Sequence, residues 1–478
     1  MINYFKRRFY VKAAMGLFLF SILNFLIQNY TIFSQPRHGK KLENLVREHQ
    51  KELAHGSVEN CNREIFHSYS SFHNMGKNSY KGKFLIYHIL DEDPVGLGCR
   101  LSAALYALTL AMHTRRILIL SGVEFKYIYS KYIDITDDAL TILSHVLLKE
   151  APMRKLLSKN NRTYLKFEVT QWNYERELHD LFYSDSFAQV DVLYTNMLAS
   201  HRHFDILMAR DQNFRGKILE IFGQDSAKYQ KEDHALSSRS RYKLVPEYPT
   251  VWRRLWGCAH WFLFDDLHQD LEKKILEPFF NSTKPCEKLV SIHFRGGDVS
   301  FYEQLSRRER NYDKDTEMMI DRWSKRVRTP MGALELYFFY AKQISNTWNK
   351  VNVCYFIASD NMSVFPIALN KLGNNVFETS GFPSHSSLTK SKVGLIKALA
   401  DYVLLGMGDG LVHGMSTLSE SAVERNYGQN IEVKCRSPQK KLWSEIKSWY
   451  CVRKGEQLDS RAIKAIEYTK RNRPGVLT

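Results

Sequence analysis

The apolar positions of this chain fall into two stretches built on the same plan. In the first, F-L-I-Y-H-I-L (residues 84–90) is a nearly continuous apolar run of strand length. Pro94, Gly96 and Gly98 follow, then a helical pattern from about Arg100 to His113, then a second apolar run from Arg116 to Leu120. Strand, glycine turn, helix and strand make a βαβ unit. The second stretch begins near residue 287. It predicts strands over 288–292, Val353 to Ala358, Asn375 to Glu378 and Gly410 to His413, with helices over about 331–346, 364–371, 391–406 and 417–426. Residues 135–275 read as mostly helical, with Trp172, Trp252, Trp256 and Trp261 as packing residues. The expectation is an α/β protein with two Rossmann-like halves facing a cleft, and ligands beyond the strand C-termini.

The N-terminus adds a different kind of element. Lys6, Arg7, Arg8 and Lys12 precede an apolar run from Ala13 to Ile27, extendable to Phe33. A cleaved signal peptide and a retained signal anchor both fit this pattern. No small-x-small cleavage site follows, which favours the anchor. Residues 1–12 are then a cytosolic tail, 13–33 a transmembrane helix and 34–80 a lumenal stem, a single-pass type II arrangement. A short anchor suits the thinner membranes of the early secretory pathway, and a Golgi membrane is the expected location. In the stem, Leu42, Leu45, Val46, His49 and Leu53 fall at helical spacing, as in a short coiled coil or a solvated amphipathic helix. The remaining boundaries are 81–285 for the first half, 286–430 for the second and 431–478 for a basic tail with one helix near 459–471.

The net charge of +17 raises the question of nucleic acid. Lys and Arg are dispersed, with small clusters such as Arg115-Arg116 and Arg307-Arg308, and there is no zinc-finger spacing, RNP-like strand or basic arm. A phosphate-bearing substrate is the simpler account, and no nucleic-acid partner is expected. Seven cysteines without a C-x-x-C argue for disulfides in an oxidising compartment rather than zinc or redox chemistry. Cys435 with Cys451, or Cys258 with Cys286, would clip local loops. Sequons stand at Asn161, Asn281 and Asn361, the last beside candidate chemistry.

That chemistry is concentrated in four segments. S-I-H-F-R-G-G-D-V-S (291–300) ends a strand in His293, Arg295, two glycines and Asp298, a set able to grip a diphosphate, although Arg–Asp pairs also brace ordinary loops. G-L-G-C-R-L (96–101) opens a helix with Gly96 and Gly98. It lacks the third glycine of the dinucleotide fingerprint, which disfavours a nicotinamide cofactor. I-A-S-D-N (357–361) places Asp360 at a strand end, as an acceptor for a ligand hydroxyl or as a helix cap. In the segment 397–422, Asp401 lies on an apolar helix and needs a partner, either a guanine edge or a neighbouring Lys or Arg. Ser416, Thr417 and Ser419 then gather at a helix start, where they cap it or bind phosphate.

Taken together and in order, these segments resemble the core α1,6-fucosyltransferases and the related nodulation-type fucosyltransferases. The likeness runs through V-G-L-G-C-R-L (95–101) and its βαβ unit, P-T-V-W-R-R-L-W (249–256) with L-E-K-K-I-L (271–276), H-F-R-G-G-D (293–298) against the family's H-x-R-x-x-D, and 397–422. It covers about residues 84–430. The resemblance implies a GT-B-like fold and inverting, metal-independent transfer from GDP-fucose, with no cofactor. It implies that Arg295 clasps the β-phosphate, that His293 and Asp401 hold the guanosine, and that Asp298 braces the Arg295 loop. Asp360 with Ser416 or Thr417 lines the donor pocket, and Glu303 stands where the family's candidate base falls; the alternative for Glu303 is a surface-loop charge. The chain departs from the family at Gly296, in place of a second arginine, at Val299, in place of a lysine, and at Asn361, in place of a second aspartate.

The expected partners are GDP-fucose, a glycan or glycoprotein acceptor and the membrane, with a homodimer left open. Transfer to the core GlcNAc of an N-glycan is the leading expectation. A protein Ser/Thr or another glycan hydroxyl is the alternative within the family, and a catalytically silent glycan-binding descendant the alternative outside it.

Overall fold

The computed structural model describes residues 61, 63–79, 83–88, 96–133, 164–167, 189–195, 216–217, 220–221, 250–280, 286–296, 329, 331–381, 392–414, 416–425, 429–436 and 450–453. The chain divides into units at residues 1–51 and 52–478, and all of these residues belong to the second. The expected cytosolic tail and the anchor at 13–33 lie outside the described residues. Among those described, no helix is long and apolar enough to cross a membrane.

The first lobe starts with helix α1 (Arg63–Ser79), strand β1 (Phe84–His88), helix α2 (Leu97–His113) and strand β2 (Ile117–Ser121). After a 3₁₀ turn come the short β3 (Ile128–Tyr129), β4 (Tyr164–Phe167) and β5 (Val192–Thr195). The sheet order is β2-β1-β5-β4, all parallel. Phe84 to Tyr87 and Ile117 to Leu120 are buried throughout, which explains why their sequences run apolar without alternation. Helix α2 is buried almost all round, because it packs on β1 and β2 and also under two further helices, α3 (Thr250–Leu263) and α8 (Thr417–Arg425).

The second lobe follows β6 (Asp266–Leu267), which pairs with β3, and helix α4 (Gln269–Phe280). It contains β7 (Lys288–Phe294), α5 (Leu334–Asn346), β8 (Val353–Ser359), α6 (Val364–Leu372), β9 (Val376–Phe377), α7 (Lys392–Met407), β10 (Gly410–His413), α8, β11 (Gln429–Arg436) and β12 (Tyr450–Arg453). The order is β12-β11-β10-β7-β8-β9, with only β12 antiparallel to its neighbour. The chain therefore winds outward from β7 through β8 to β9, then returns along α7 to lay β10 and β11 on the other side of β7. The winding reverses between β7 and β10. Along β7, Val290, Ile292 and Phe294 join the core under α5 and α6. The alternate positions, Ser291 and His293, face the other side, where the Ser291 hydroxyl donates to the Leu404 carbonyl of α7 at 2.9 Å.

The strands and helices expected in the second half are all present, most of them within a residue or two. Three expectations change. The tail boundary at 430 cuts through β11, which pairs in parallel with β10 and extends the sheet; β12 then pairs with β11. The stem boundary at 80 cuts off α1, which is part of the first lobe: Tyr69 donates to the Arg116 carbonyl at 2.9 Å and the buried His73 ring donates to the Leu118 carbonyl at 2.9 Å. The largely helical middle contains two strands of the first sheet, β4 and β5. The expected helix near 459–471 lies outside the described residues.

Among the described residues the disulfides are Cys61–Cys258, joining the entry of α1 to α3, and Cys286–Cys354, joining the entry of β7 to β8. Cys258 and Cys286 thus bond to distant partners rather than to each other. Cys435 and Cys451 stand opposite one another in the β11–β12 register. Arg116, expected as part of a basic cluster, is fully buried. Its guanidinium donates to the Val190 carbonyl at 2.6 Å and ties the entry of β5 to the first sheet. Burial pushes its pKa down, opposed by Asp191.

The lobes also meet through helices that precede the second sheet. His260 of α3 and the hydroxyl of Tyr402 of α7 are 2.8 Å apart, both buried, and Lys392 of α7 pairs with Asp270 of α4 at 3.1 Å.

Candidate functional site

In an open parallel sheet, a crevice forms where neighbouring connections leave in opposite directions, beyond the carboxyl ends of the two strands. In the second lobe those strands are β7 and β10, and their register pairs His293 directly with His413. Both histidines are buried. His413 donates through Nδ1 to the Gly414 carbonyl at 3.1 Å. The Nδ1 of His293, by contrast, has no hydrogen-bond partner. Burial pushes the His293 pKa down to about 3, helped by the neighbouring Arg295 guanidinium and by His413. The imidazole therefore stays neutral through the physiological range, with a buried ring nitrogen left unsatisfied within the chain.

Register also explains how Arg295 and Asp360 meet. Phe294 of β7 lies opposite Ser359 of β8, the last residue of each strand. The next residues, Arg295 and Asp360, leave the sheet side by side. Arg295 Nε lies 3.4 Å from Asp360 Oδ2, and the Gly296 amide donates to Asp360 Oδ1 at 2.8 Å. The Arg295 side chain keeps 18% of its surface exposed and Asp360 only 2%, so the guanidinium is the accessible partner of the pair.

Across the crevice, β10 leads through Gly414 into α8. Ser416 precedes the helix and Thr417 begins it, and the Ser419 hydroxyl donates back to the carbonyls of Ser416 (3.0 Å) and Gly414 (3.2 Å). The first lobe brings the start of α2 to the same place. A methyl group on Gly98 would lie 2.3 Å from the Leu418 amide nitrogen and 2.4 Å from the Thr417 carbonyl carbon, so only glycine permits this approach. Cys99 donates through its thiol to the Thr417 hydroxyl at 3.2 Å, and the Ser102 and Ser421 hydroxyls are 2.6 Å apart. Gly96 caps α2 in an extended conformation, its carbonyl accepting the Cys99 and Arg100 amides. Two helix N-termini, one from each lobe, thus lie together. Each carries partial positive charge, and an anion between them would relieve their repulsion.

The structure therefore brings His293, Arg295 and Asp360 to adjacent strand ends, and Ser416, Thr417, Gly96 and Gly98 to adjacent helix starts. Asp401 is placed differently. Its carboxylate is buried on α7 and satisfied within the chain: Lys397 Nζ lies 3.3 and 3.1 Å from its two oxygens, and the Thr379 hydroxyl donates to it. Burial pushes the Asp401 pKa up, while Lys397 and Thr379 oppose this. The neighbouring-lysine alternative is the one that the geometry matches, and a guanine edge would have to compete with Lys397. Asp298 and Glu303 lie outside the described residues. His413 was not singled out from the sequence; its signal was a histidine closing the apolar run G-L-V-H, much as His293 stands next to the end of β7. Among the described residues, no group of His, Cys, Asp and Glu has the arrangement of a metal site.

No family model matches this chain, and no curated protein matches it in sequence. Among solved structures it is similar to a mutant of Arabidopsis thaliana FUT1 in complex with GDP, at 12% identity and a TM-score of 0.46, covering 77% of this chain and 78% of that one. It is similar to the fucosyltransferase NodZ from Bradyrhizobium, at 11% identity and a TM-score of 0.39, covering 78% of this chain and 99% of that one. It is also similar to the apo form of POFUT1, at 13% identity and a TM-score of 0.33, covering 73% and 97%.

Proposed function

We propose that this protein is a glycosyltransferase that binds a nucleoside diphosphate sugar in the crevice beyond β7 and β10 and passes the sugar, fucose from GDP-fucose, to a glycan hydroxyl. The observation that carries the reading is the set at the reversal of strand order: a neutral, buried His293 with an unpartnered Nδ1, the Arg295 guanidinium fixed beside it, and the N-terminus of α8 opposite. A diphosphate has the charge for the arginine and the helix start, and a nucleoside has polar edges for the histidine. The order of motifs shared with the fucosyltransferases supports fucose as the sugar.

In this reading, negative charge grows on the β-phosphate as the glycosidic bond breaks. Arg295, with the amides and hydroxyls of Ser416 and Thr417, stabilises that charge more in the transition state than in the bound substrate. The guanidinium supplies the positive charge that a divalent ion supplies elsewhere, so transfer proceeds without a metal. Glu303 accepts the proton of the attacking hydroxyl, which enters from the opposite face and inverts the anomeric centre. Two disulfides support action in an oxidising lumen.

The test is transfer from a panel of GDP-sugars to N-glycan and peptide acceptors, with linkage analysis of the product, using the wild type, Arg295→Ala and Arg295→Lys. Loss of the bidentate charge should cost about 3 kcal/mol in transition-state stabilisation. Activity should survive EDTA. Near-wild-type transfer by Arg295→Ala would reject the assignment.

A further inference from the structure

We infer that Asp360 acts on the bound diphosphate only through Arg295, as the residue that holds the guanidinium in place, and is neither a ligand contact nor a helix cap. The inference rests on the reading above.

The turn after β8 divides its tasks among three consecutive side chains. The Ser359 hydroxyl accepts the Asn361 amide at 3.0 Å. The Asn361 side-chain oxygen accepts the Ser363 amide at 2.9 Å, and its carbonyl accepts the Val364 amide at 3.1 Å, so Asn361 organises the start of α6. Asp360 is thereby released from the capping role that its position suggests. Both of its oxygens point across to the exit of β7, one to the Gly296 amide and one to Arg295 Nε. With 2% of its side chain exposed, it has almost no surface to offer a sugar hydroxyl.

The contact at Nε matters for how an arginine works. It fixes the plane of the guanidinium relative to the strand, and the bond from Oδ1 to the next backbone amide fixes the chain that carries it. Charge that is oriented before the reaction needs no rearrangement when the leaving group develops its own. The space beside this pair is open: a methyl group on Gly296 would lie 3.5 Å from Asp360 Oδ1 and 3.6 Å from the Phe294 ring, in ordinary contact. The Asp360 carboxylate is thus one direct hold on Arg295, and the backbone beside it is not crowded.

The test combines calorimetric titration with GDP and steady-state transfer kinetics for Asp360→Asn, Asp360→Ala, Arg295→Ala and the double variant Asp360→Ala/Arg295→Ala. Asp360→Asn keeps an oxygen for the Gly296 amide and loses the charge, so it separates folding from positioning. Arg295→Ala should weaken GDP by about tenfold or more. Asp360→Asn should lower kcat several-fold with a smaller change in KM, and Asp360→Ala should do more. In the Arg295→Ala background, removing Asp360 should change GDP affinity by no more than about twofold, because a residue that works through another falls silent once the other is gone. Losses that multiply would mean that Asp360 meets the ligand itself, and would overturn the inference while leaving the function standing. Wild-type kinetics for both Asp360 variants would overturn it in the same way, as would a lowered Tm with unchanged GDP affinity. Wild-type GDP affinity in Arg295→Ala would remove the function and this inference together.

Discussion

The turn after β8 and the middle of α7 each bury an aspartate of the second lobe against a cation. At the turn, Asp360 holds Arg295, whose side chain stays partly exposed beyond the end of β7. On α7, Asp401 holds Lys397, and both are sealed with Thr379. The chemistry of the two pairs is similar, and the difference lies in where the cation stands. A carboxylate buried beside a cation is satisfied by it in either case. Only where the cation retains an exposed face can the pair serve a ligand. Exposure of the cation, rather than residue type, is what sets the Asp360–Arg295 pair apart from the sealed Asp401–Lys397 pair.

The sealed pair on α7 should give the largest effect. Asp401→Ala leaves an ammonium buried without its counter-charge and should cost about 3–5 kcal/mol of stability in chemical denaturation. The double variant Asp401→Leu/Lys397→Met, which removes both charges, should recover most of that loss. If Asp401→Ala instead folded normally and lost GDP binding, the two aspartates would have exchanged roles.

The next effect belongs to the crevice floor. The His293 pKa is lowered in the folded protein, so the unfolded chain binds the extra proton and the folded one refuses it. Stability from this residue is present above about pH 6.5 and is lost as pH falls toward the folded value of about 3. The slope is at most about 1.4 kcal/mol per pH unit. Denaturation midpoints measured over this window should fall less steeply for His293→Gln than for wild type. An unchanged slope would show that the ring is not held neutral.

A smaller effect contrasts two glycines. Gly98→Ala forces a methyl into the Thr417–Leu418 backbone, which cannot yield as a flexible side chain would, and should cost about 1–3 kcal/mol, read as a lower Tm. Gly296→Ala has room and should stay within about 0.5 kcal/mol of wild type. Equal costs would mean that the approach of the two helix starts is not as close as described.

Much of this was legible in the chain. Buried parallel strands announce themselves as unbroken apolar runs, which is why Gly410 to His413 was bounded correctly and β7 missed only its last two residues, His293 and Phe294. Motif residues that end such runs were located for the same reason. What was lost had weaker signals or depended on distant partners. β11 carries the alternation Ile431, Val433, Cys435, but the intervening Glu432, Lys434 and Arg436 made it read as basic tail. β5 is a run of only four residues inside a helical region. The pairing of Asp360 with Arg295 depends on the register of β7 against β8, which is set by the sheet, and no local pattern reports it. The choice of Lys397 for Asp401 was readable as an i, i+4 pair on a helix, and the sequence left it open only because a guanine edge competed for the same carboxylate.

The disulfide Cys286–Cys354 joins β7 and β8 where they begin, and Arg295 with Asp360 joins them where they end. The chain that departs from one strand and returns by the other therefore starts and finishes on a pair of rails bolted at both extremities. Whatever length that excursion acquires outside α5, which packs against β7, its endpoints keep their spacing, and so does the proposed nucleotide seat beside them. Glu303 lies within it. On the proposed function, such an arrangement would let the choice of acceptor diverge while the donor grip is left alone: exchanging residues 297–328 between related chains should change which hydroxyl is modified before it changes which nucleotide is held.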